Sequence, residues 1–518
     1  MSSILTNSSA MVALQTLKTI NGNMNKVQSE ISTGKTVATA RDNAAVWSIS
    51  KVMESDVKGF KGISDSLALG SSSLSVAREA SEKIQGLLNN MKEKIVSAQS
   101  ENVPREKLQT DIDALRNQIA GIVSGAQFSG LNLVSGTDDV KFLASLDRSD
   151  SGVTTSDITV ARQDLSAGNG TLGVATGSPQ ILAGVAVITG NITAPVDMAG
   201  AAVTSITNGA NAARLAGAAL AIGASATLKI NGQTVTFTND SGVAMTAAES
   251  ATRMISEVNK LGLDGVTAVL NGTANVDIQS SRAFEQVTVE HVAGFAAPTI
   301  PTAGQGTVTG SVATIAQRAE TYVFGGNAVK DGDGYTLSVG GVAYSYIAGK
   351  GETTEDVVRG LKISIDAGNV PGLSTRVTQS STGAWQLNID NSSDTTRAIA
   401  ASSGTVNGKA SGGLFGLDAI DVTTVAGARS ALTNIETMIN KAIDAAAEFG
   451  SAQGRIDTQT SFVSSLTDAM TAGIGTLVDA DMEEASARLQ ALQVQQQLGI
   501  QALSIANQQP QNLLSLFR

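Results

Sequence analysis

Few residues in this chain are of a kind that could do chemistry. There is no cysteine and a single histidine, His291, so disulfides, thiolate or histidine-cluster metal sites and Cys/His or Ser/His catalysis lack the side chains they need. Asp479 and Asp481 could divide acid and base duties between them, but two residues apart on a helix they point in different directions, which suits a solvated or polar interfacial place. Asp331-Gly332-Asp333-Gly334 opens like a calcium loop; an EF-hand needs an acidic ligand at its twelfth position, where Val342 stands, so the stretch reads as a plain turn. His291, between Glu290 and Val292 in a strand-like run, reads as structural or exposed. No catalytic, cofactor-binding or metal site is expected, and the chain reads as a non-enzyme.

Composition points the same way. Aromatic residues make up 3% of the 518, and all four tyrosines (Tyr322, Tyr335, Tyr344, Tyr346) fall in the middle, so the ends differ in kind from the centre. A net charge of −11 argues against nucleic acid or an anionic membrane as partner, since both demand a basic face. No stretch approaches the roughly 18 apolar residues of a membrane span, so no membrane insertion is expected. The first residues, Met1 to Ala13, carry neither the cations nor the apolar core of a cleaved signal peptide.

The elements that must position these residues are long helices. From Val46 to Ala98, alternate steps of three and four land on apolar side chains, Ile63, Leu67 and Leu88 among them, broken only by Asp56, Gly70 and Ser81. A repeat of about 3.5 residues held this long keeps one seam facing partner helices. At about 1.5 Å per residue the stretch is a rod of roughly 80 Å whose seam needs cover from elsewhere. Upstream, Leu17, Ile20, Met24, Val27 and Ile31 carry the same spacing until Ser32-Thr33-Gly34-Lys35 interrupts it, and Ala40-Arg41-Asp42-Asn43 offers an N-cap to the long helix. Past Asn102-Val103-Pro104 a second rod repeats the heptad through Ile112, Leu115, Ile119 and Ile122, and the short connection predicts an antiparallel return.

From about Gly136 to Gly416 the heptads vanish, and Gly, Ser, Thr and Val dominate with period-two alternation, the mark of strands. Leu228 and Ile230, then Asn231-Gly232, then Val235 and Phe237 read as a hairpin. Leu337, Val339, Gly340-Gly341, Tyr344 and Tyr346 take the same places further on. Each hairpin is followed by a helical stretch and more strand, giving two copies of a β-β-α-β module at 226–281 and 335–391.

After Phe415 the heptads resume with Leu432, Ile435, Ile439, Ala442, Ala446 and Phe449, then continue through Val463 and Leu477 to Leu489, Leu492 and Leu503. The expected fold is α+β: a long α-helical coiled-coil bundle formed by both chain ends, with a β-rich region inserted in the middle and projecting from the far end. Its parts are an N-terminal assembly helix (1–41), the N-terminal half of a helical rod domain (42–140), the β-rich surface region (141–418), the C-terminal rod helix (419–455) and a C-terminal assembly helix (456–518).

Ser32-Thr33-Gly34, Ala40-Arg41-Asp42-Asn43-Ala44-Ala45, Gln127-Phe128-Ser129-Gly130-Leu131, Asp479-Ala480-Asp481 and the tail Ala506-Asn507-Gln508-Gln509-Pro510-Gln511-Asn512-Leu513-Leu514-Ser515-Leu516 resemble bacterial flagellin in kind and in order. The likeness covers about 1–140 and 420–518. It implies a structural subunit that polymerises with copies of itself into the flagellar filament for swimming, with a variable middle facing outward. It implies export through the flagellar machinery with an export chaperone, contact with filament-cap and hook-junction proteins, and an extracellular address reached without a cleaved signal peptide. The chain departs from the resemblance at Lys92-Glu93-Lys94-Ile95, where many flagellins carry an Arg-x-Arg-Glu group recognised by an innate immune receptor. A hook-filament junction protein shares the terminal helices, and an adhesin shares the Ser/Thr/Gly-rich strands; the close C-terminal tail favours the filament subunit.

The seams divide accordingly. Ile63, Leu67, Leu88, Leu115, Ile119, Ile435 and Ile439 are expected in the core of the rod. The terminal helices have no evident internal cover, so Leu17, Ile20, Met24, Val27, Ile31, Leu477, Leu489, Leu492, Gln496 and Leu503 are expected at an interface between subunits.

Overall fold

The heptad stretches fold as helices: α1 (Ser8–Thr33), α2 (Ala44–Ala98), α3 (Arg105–Gly125), α6 (Val425–Val478) and α7 (Met482–Leu516), with α4 (Ala247–Lys260) and α5 (Thr354–Ala367) between them in the β-rich middle. The structure, a computed structural model, describes residues 7–149, 152–175, 186–188, 204–302, 305–324, 328–401 and 404–516. Two compact units result, one from Met1–Ser72, Lys141–Val160 and Ser451–Arg518, the other from Ser73–Val140 and Ala161–Gly450.

In the first unit Phe60, Ile63 and Leu67 of α2 are buried, as are Ile456 and Val463 of α6. A hairpin lies along α2 at its glycines. A Cβ on Gly70 would stand 3.0 Å from the Phe142 ring and 3.1 Å from the Ile456 terminal methyl, and one on Gly59 would stand 2.6 Å from a Leu146 methyl. The interruption of the seam at Gly70 is therefore the place where an aromatic ring packs onto the helix. The Gln459 amide holds the same hairpin by donating to the Ala144 carbonyl at 2.9 Å.

In the second unit the later part of α2 buries Leu74, Ile84, Leu88, Met91 and Ile95 beside Ile112, Ile119 and Val123 of α3 and Ala428, Ile435, Ile439, Ala442 and Phe449 of α6. Lys94 reaches Asp111 of α3 at 3.0 Å and Lys92 reaches Glu436 of α6 at 2.5 Å. Of the expected rod-core residues, Leu115 is only half-buried. The stripe that α3 turns inward runs through Ile112, Ile119 and Val123 and leaves Leu115 on its shoulder. Ser81, the polar residue in the α2 seam, is fully buried and donates to the Ala77 carbonyl, so its hydroxyl is satisfied without a partner helix.

The strands are, in order, β1 (Gln127–Phe128), β2 (Leu131–Asn132), β3 (Val140–Ser149), β4 (Gly152–Val160), β5 (Val174–Ala175), β6 (Ala186–Ile188), β7 (Thr204–Ile206), β8 (Asn211–Ala216), β9 (Ser225–Ile230), β10 (Gln233–Thr238), β11 (Val266–Asn271), β12 (Asn275–Ser280), β13 (Val287–Ala293), β14 (Gly306–Thr309), β15 (Val312–Ile315), β16 (Glu320–Val323), β17 (Gly334–Val339), β18 (Val342–Ile347), β19 (Leu373–Gln379), β20 (Trp385–Asn391), β21 (Arg397–Ala401) and β22 (Thr405–Val406). Each module is one strand longer than its sequence suggested: β9-β10-α4-β11-β12 and β17-β18-α5-β19-β20 are both ββαββ. The repeat extends to their neighbours. A preceding strand pairs with the last strand of each module (β8 on β12, β16 on β20), and a following strand pairs with the first (β13 on β9, β21 on β17). Both two-residue turns have positive φ at both positions, Asn231 and Gly232 in one and Gly340 and Gly341 in the other, as a primed hairpin turn requires. Asp331-Gly332-Asp333 forms a turn in which the Asp333 carboxylate accepts the Lys330 N–H.

The second module is fastened to α6 by two polar clasps. Lys441 lies 2.9 Å from Glu352 and 2.8 Å from Asp356 at the start of α5, and Glu352 also accepts the Tyr346 hydroxyl at 2.7 Å. Two helical turns earlier, Asn434 accepts from Lys362 at 2.7 Å and donates to Asp366 at 3.2 Å, while Lys362 and Asp366 pair at 2.6 Å. Seven residues apart, Asn434 and Lys441 occupy one face of α6. Burial pushes the Asp356 carboxyl up, yet Lys441 and the Thr353 amide and hydroxyl outweigh it and hold the group below its ordinary 3.8. Burial likewise opposes the Lys441 charge, and Glu352 and Asp356 overcome it, raising the ammonium above 10.5.

The signs fix the pH window. A depressed carboxyl contributes stability present above its unfolded value and lost as pH falls through the folded one; a raised ammonium contributes stability present below its unfolded value and lost as pH rises through the folded one. The second module should therefore stay docked across neutral pH and loosen below about pH 4. Lys441→Met, which leaves Glu352 and Asp356 without their cation, should cost about 1–3 kcal/mol at pH 7 and flatten that acid limb. Urea titrations across the acid range, followed by tyrosine near-ultraviolet dichroism, would read both effects; an acid limb as steep in the variant as in the parent would remove Lys441 and Asp356 from its cause.

Candidate assembly surface

The two ends of the chain meet in the first unit. At its start α1 is capped by Asn7, whose side chain accepts the Ala10 N–H at 3.1 Å and donates to the Ala506 carbonyl of α7 at 2.8 Å. At its close Gly34 takes a left-handed φ of 69° and its N–H returns to the Glu30 carbonyl, the αL ending that a residue without Cβ adopts at least cost. The break that follows pairs with the break between α6 and α7. The Thr36 N–H donates to the Val478 carbonyl at 2.7 Å, the Ala480 N–H to the Gly34 carbonyl at 3.0 Å, and Lys35 stands opposite Asp479 in an antiparallel bridge.

This pairing corrects the reading of Asp479 and Asp481 as residues within a helix. They occupy the junction, where two backbone bonds run to the facing break. Asp481 caps α7 by accepting the N–H groups of Glu483 and Glu484 at 2.9 and 3.1 Å, and those two carboxylates sit at the positive end of the helix.

Beyond the junction α1 and α7 lie against each other. Val27, Ala485 and Leu492 are buried between them, Leu492 to 8% exposure, and Ile20, Met24, Ile31 and Leu489 pack around these. Leu17 comes within 3.1 Å of the place a Cβ on Gly499 would take, so the glycine admits a close approach. One polar contact sits in the seam: the Gln496 amide donates to the Asn21 side-chain oxygen at 2.7 Å. The expectation that these seams lack cover within the chain is thus overturned. Seven of the ten residues assigned to a subunit interface form one apolar cluster (Ile20, Met24, Val27, Ile31, Leu489, Leu492) or its polar contact (Gln496) between the chain's own helices; Leu17 is half-buried against α7 and Leu503 half-buried. Leu477, at the end of α6, is exposed.

What remains uncovered is a different set. On α7, Val494, Leu498 and Ile505 are 57%, 58% and 66% exposed. Counting about 100° per residue, they form a stripe roughly 180° from the one that runs through Ala485, Leu489, Leu492, Gln496 and Leu503. On α1, Met11, Val12 and Leu14 are exposed beside or opposite its seam. The sequence carried the signal, since Val494, Leu498 and Ile505 also step by four and seven; it was hidden beneath the stronger heptad.

Helical chain ends that close on each other and still present a second apolar stripe define a structural subunit with surface left for association. The comparisons agree. Residues 4–139 match the family described as the bacterial flagellin N-terminal helical region, and 432–517 match the bacterial flagellin C-terminal helical region. Flagellin A of Rhizobium meliloti (strain 1021) is 30% identical over 522 residues, spanning 100% of both chains, and Flagellin B of Rhizobium meliloti is 29% identical over 520, again end to end. A flagellin of Brucella melitensis biotype 1 is 39% identical over 169 residues, 32% of this chain and 60% of its own. Among solved structures, flagellar hook associated protein-3 of Legionella pneumophila aligns over 82% of this chain and 98% of its own at 10% identity, with a TM-score of 0.33. The chain belongs to the bacterial flagellins, the self-polymerising structural subunits of the extracellular flagellar filament.

Because Leu492 is covered by α1 in the free chain, Leu492→Asp should bury an unpaired carboxylate and open the α1–α7 pair, at a cost of several kcal/mol. Hydrogen exchange would report it: amides of 8–33 should lose protection while those of 74–126 keep theirs. Unchanged protection of 8–33 would mean that α7 does not hold α1 in the unassembled chain.

Proposed function

We propose that polymerisation proceeds through the second stripe of α7, Val494, Leu498 and Ile505, together with the exposed start of α1 at Met11, with neighbouring copies of the chain as the covering partner. The observation that carries this reading is the exposure of those side chains on helices whose other apolar face is already occupied. Burying a Val, Leu or Ile contributes about 1.5–3 kcal/mol, so a few such residues per contact, repeated at every subunit, supply substantial association energy. In this reading 1–41 and 456–518 serve assembly, 42–140 and 419–455 form the rod, and 141–418 is the outward region. The terminal helices serve by packing, without catalysis. Before assembly the chain passes through the flagellar export machinery under the care of a chaperone, and it meets hook-junction and cap proteins at the ends of the filament.

Leu498→Asp tests the stripe against the seam. The charge would stand in solvent in the free chain, so thermal melting should be unchanged, while sedimentation of seeded mixtures should show no pelleted filament. Normal pelleting of Leu498→Asp would exclude the second stripe from the polymer contact.

A further inference from the structure

Each module has two edge strands, β10 and β11 in the first, β18 and β19 in the second. An uncovered edge offers a row of unpaired N–H and C=O groups to any other strand, and three of these four are blunted. On β11 the Asn259 amide of α4 donates to the Ala268 carbonyl at 3.0 Å and accepts its N–H at 2.8 Å. On β18 the Ser411 hydroxyl accepts the Ile347 N–H at 3.3 Å, and the Ser411 N–H donates to the Ile347 carbonyl at 2.9 Å. β19 carries a charge, Arg376.

β10, Gln-Thr-Val-Thr-Phe-Thr, has none of these devices. Its register sets Ile230 opposite Gln233, Leu228 opposite Val235 and Ala226 opposite Phe237, and around a two-residue turn those pairs exchange the backbone bonds. The N–H and C=O groups of Thr234, Thr236 and Thr238 therefore point out of the sheet edge, and among the described residues no backbone group bonds to them. All three side chains are exposed. From Gln233 to Asn239 there is no charged residue, in a chain of net charge −11.

The end of the strand is braced. Asn239, 1% exposed, donates to the Leu220, Ala221 and Val243 carbonyls at 2.9, 3.2 and 2.9 Å, tying the β8–β9 loop to the β10–α4 loop. On those loops Ile222 and Val243 are 63% and 65% exposed.

We propose that β10 pairs with β10 of a second copy of this chain, antiparallel about Thr236, making one sheet continuous across two molecules. Thr236 then faces Thr236, Thr234 faces Thr238 in both directions, and about six backbone bonds close the pair. Ile222 and Val243 of each copy come level with the Asn231-Gly232 turn of the other. The occupant is a second copy because the strand complements itself. Threonine meets threonine on the outer face, Val235 meets Phe237 on the inner, and no charge enters from either side, so two acidic chains repel least along this edge. A two-fold contact closes on itself, whereas an open helical polymer grows by head-to-tail contacts. The pair therefore joins chains that polymerisation leaves apart, copies on adjacent filaments, a placement that rests on 141–418 facing outward.

The test uses the full chain, whose lack of cysteine lets a single thiol report alone. Thr236→Cys, unseeded and mildly oxidised, should form covalent dimers about tenfold or more faster than Thr309→Cys on the opposite edge of the same sheet. Thr234→Cys mixed with Thr238→Cys should link 234 to 238 in preference to 234 to 234. By sedimentation velocity, Thr236→Lys and Thr236→Glu should each weaken dimerisation about tenfold, and their equimolar mixture should restore it, with melting temperatures unchanged because the side chain is exposed. Thr236→Cys linking no faster than Thr309→Cys, or charged variants dimerising as well as the parent, would overturn the β10 pair; a preference for 234 to 234 would overturn its register. After seeding, parent filaments should pellet at low speed as bundles, while Thr236→Lys should polymerise normally and stay dispersed. Dispersed parent filaments, with the Thr236→Cys thiol still open to a bulky maleimide, would overturn the placement between filaments. A thiol closed to the maleimide on dispersed filaments would instead overturn the outward reading of 141–418 and the placement with it.

Discussion

A long apolar stripe on a helix must be covered along its whole length, and in this chain the cover comes from the opposite end of the sequence. α1 is closed by α7, and the segments of α2 are buried with the segments of α6 that fall in the same unit. No short stretch of the chain can satisfy the requirement alone, because a helix whose seam faces water gains little over the unfolded chain. The junction follows from the same need. Where α1 stops at Gly34 and α6 stops at Val478, the freed backbone groups pair across the two breaks, so neither interruption leaves its donors and acceptors to solvent.

Polar groups then choose among the arrangements that apolar burial would allow. A seam of leucines slides with little penalty; an amide that must find its partner does not. Asn21 with Gln496 sets α1 against α7 at one register, much as a polar residue at a core position does in a coiled coil. Asn434 and Lys441 do the same for the second module on α6, where the buried Lys362–Asp366 pair would be left uncompensated by a shift of even one turn. The first module uses a comparable device inside its own sheet, the two-bond pairing of Arg214 on β8 with Asp277 on β12 at 2.7 and 2.8 Å.

Local pattern made the heptad helices and the two hairpins legible, because each repeats within a few residues. Asn231-Gly232 and Gly340-Gly341 were readable for a backbone reason that needs no partner. The third strand of each module was hidden: β11 and β19 are both edge strands, and in β19 Leu373, Thr375 and Val377 are only half-buried, which dilutes the alternation. Asp479-Ala480-Asp481 passed for helix because apolar heptads flank it on both sides, and only the facing break at Gly34 explains why it is not.

The cover of the terminal helices is the instructive miss. A search for amphipathic helices rewards one apolar face and one polar face, and α7 has its apolarity nearly balanced around the axis. Two stripes on opposite sides cancel in such a search, so the helix looks weakly patterned when it is patterned twice. Taking the stronger stripe as the interface followed from supposing that a terminal helix has nothing within the chain to lie on. Once α1 is seen to occupy that stripe, the weaker one gains its meaning: Val494, Leu498 and Ile505 have no packing duty in the free subunit. A helix apolar on two opposite sides is suited to lie between two neighbours, and here the chain itself supplies the first of them.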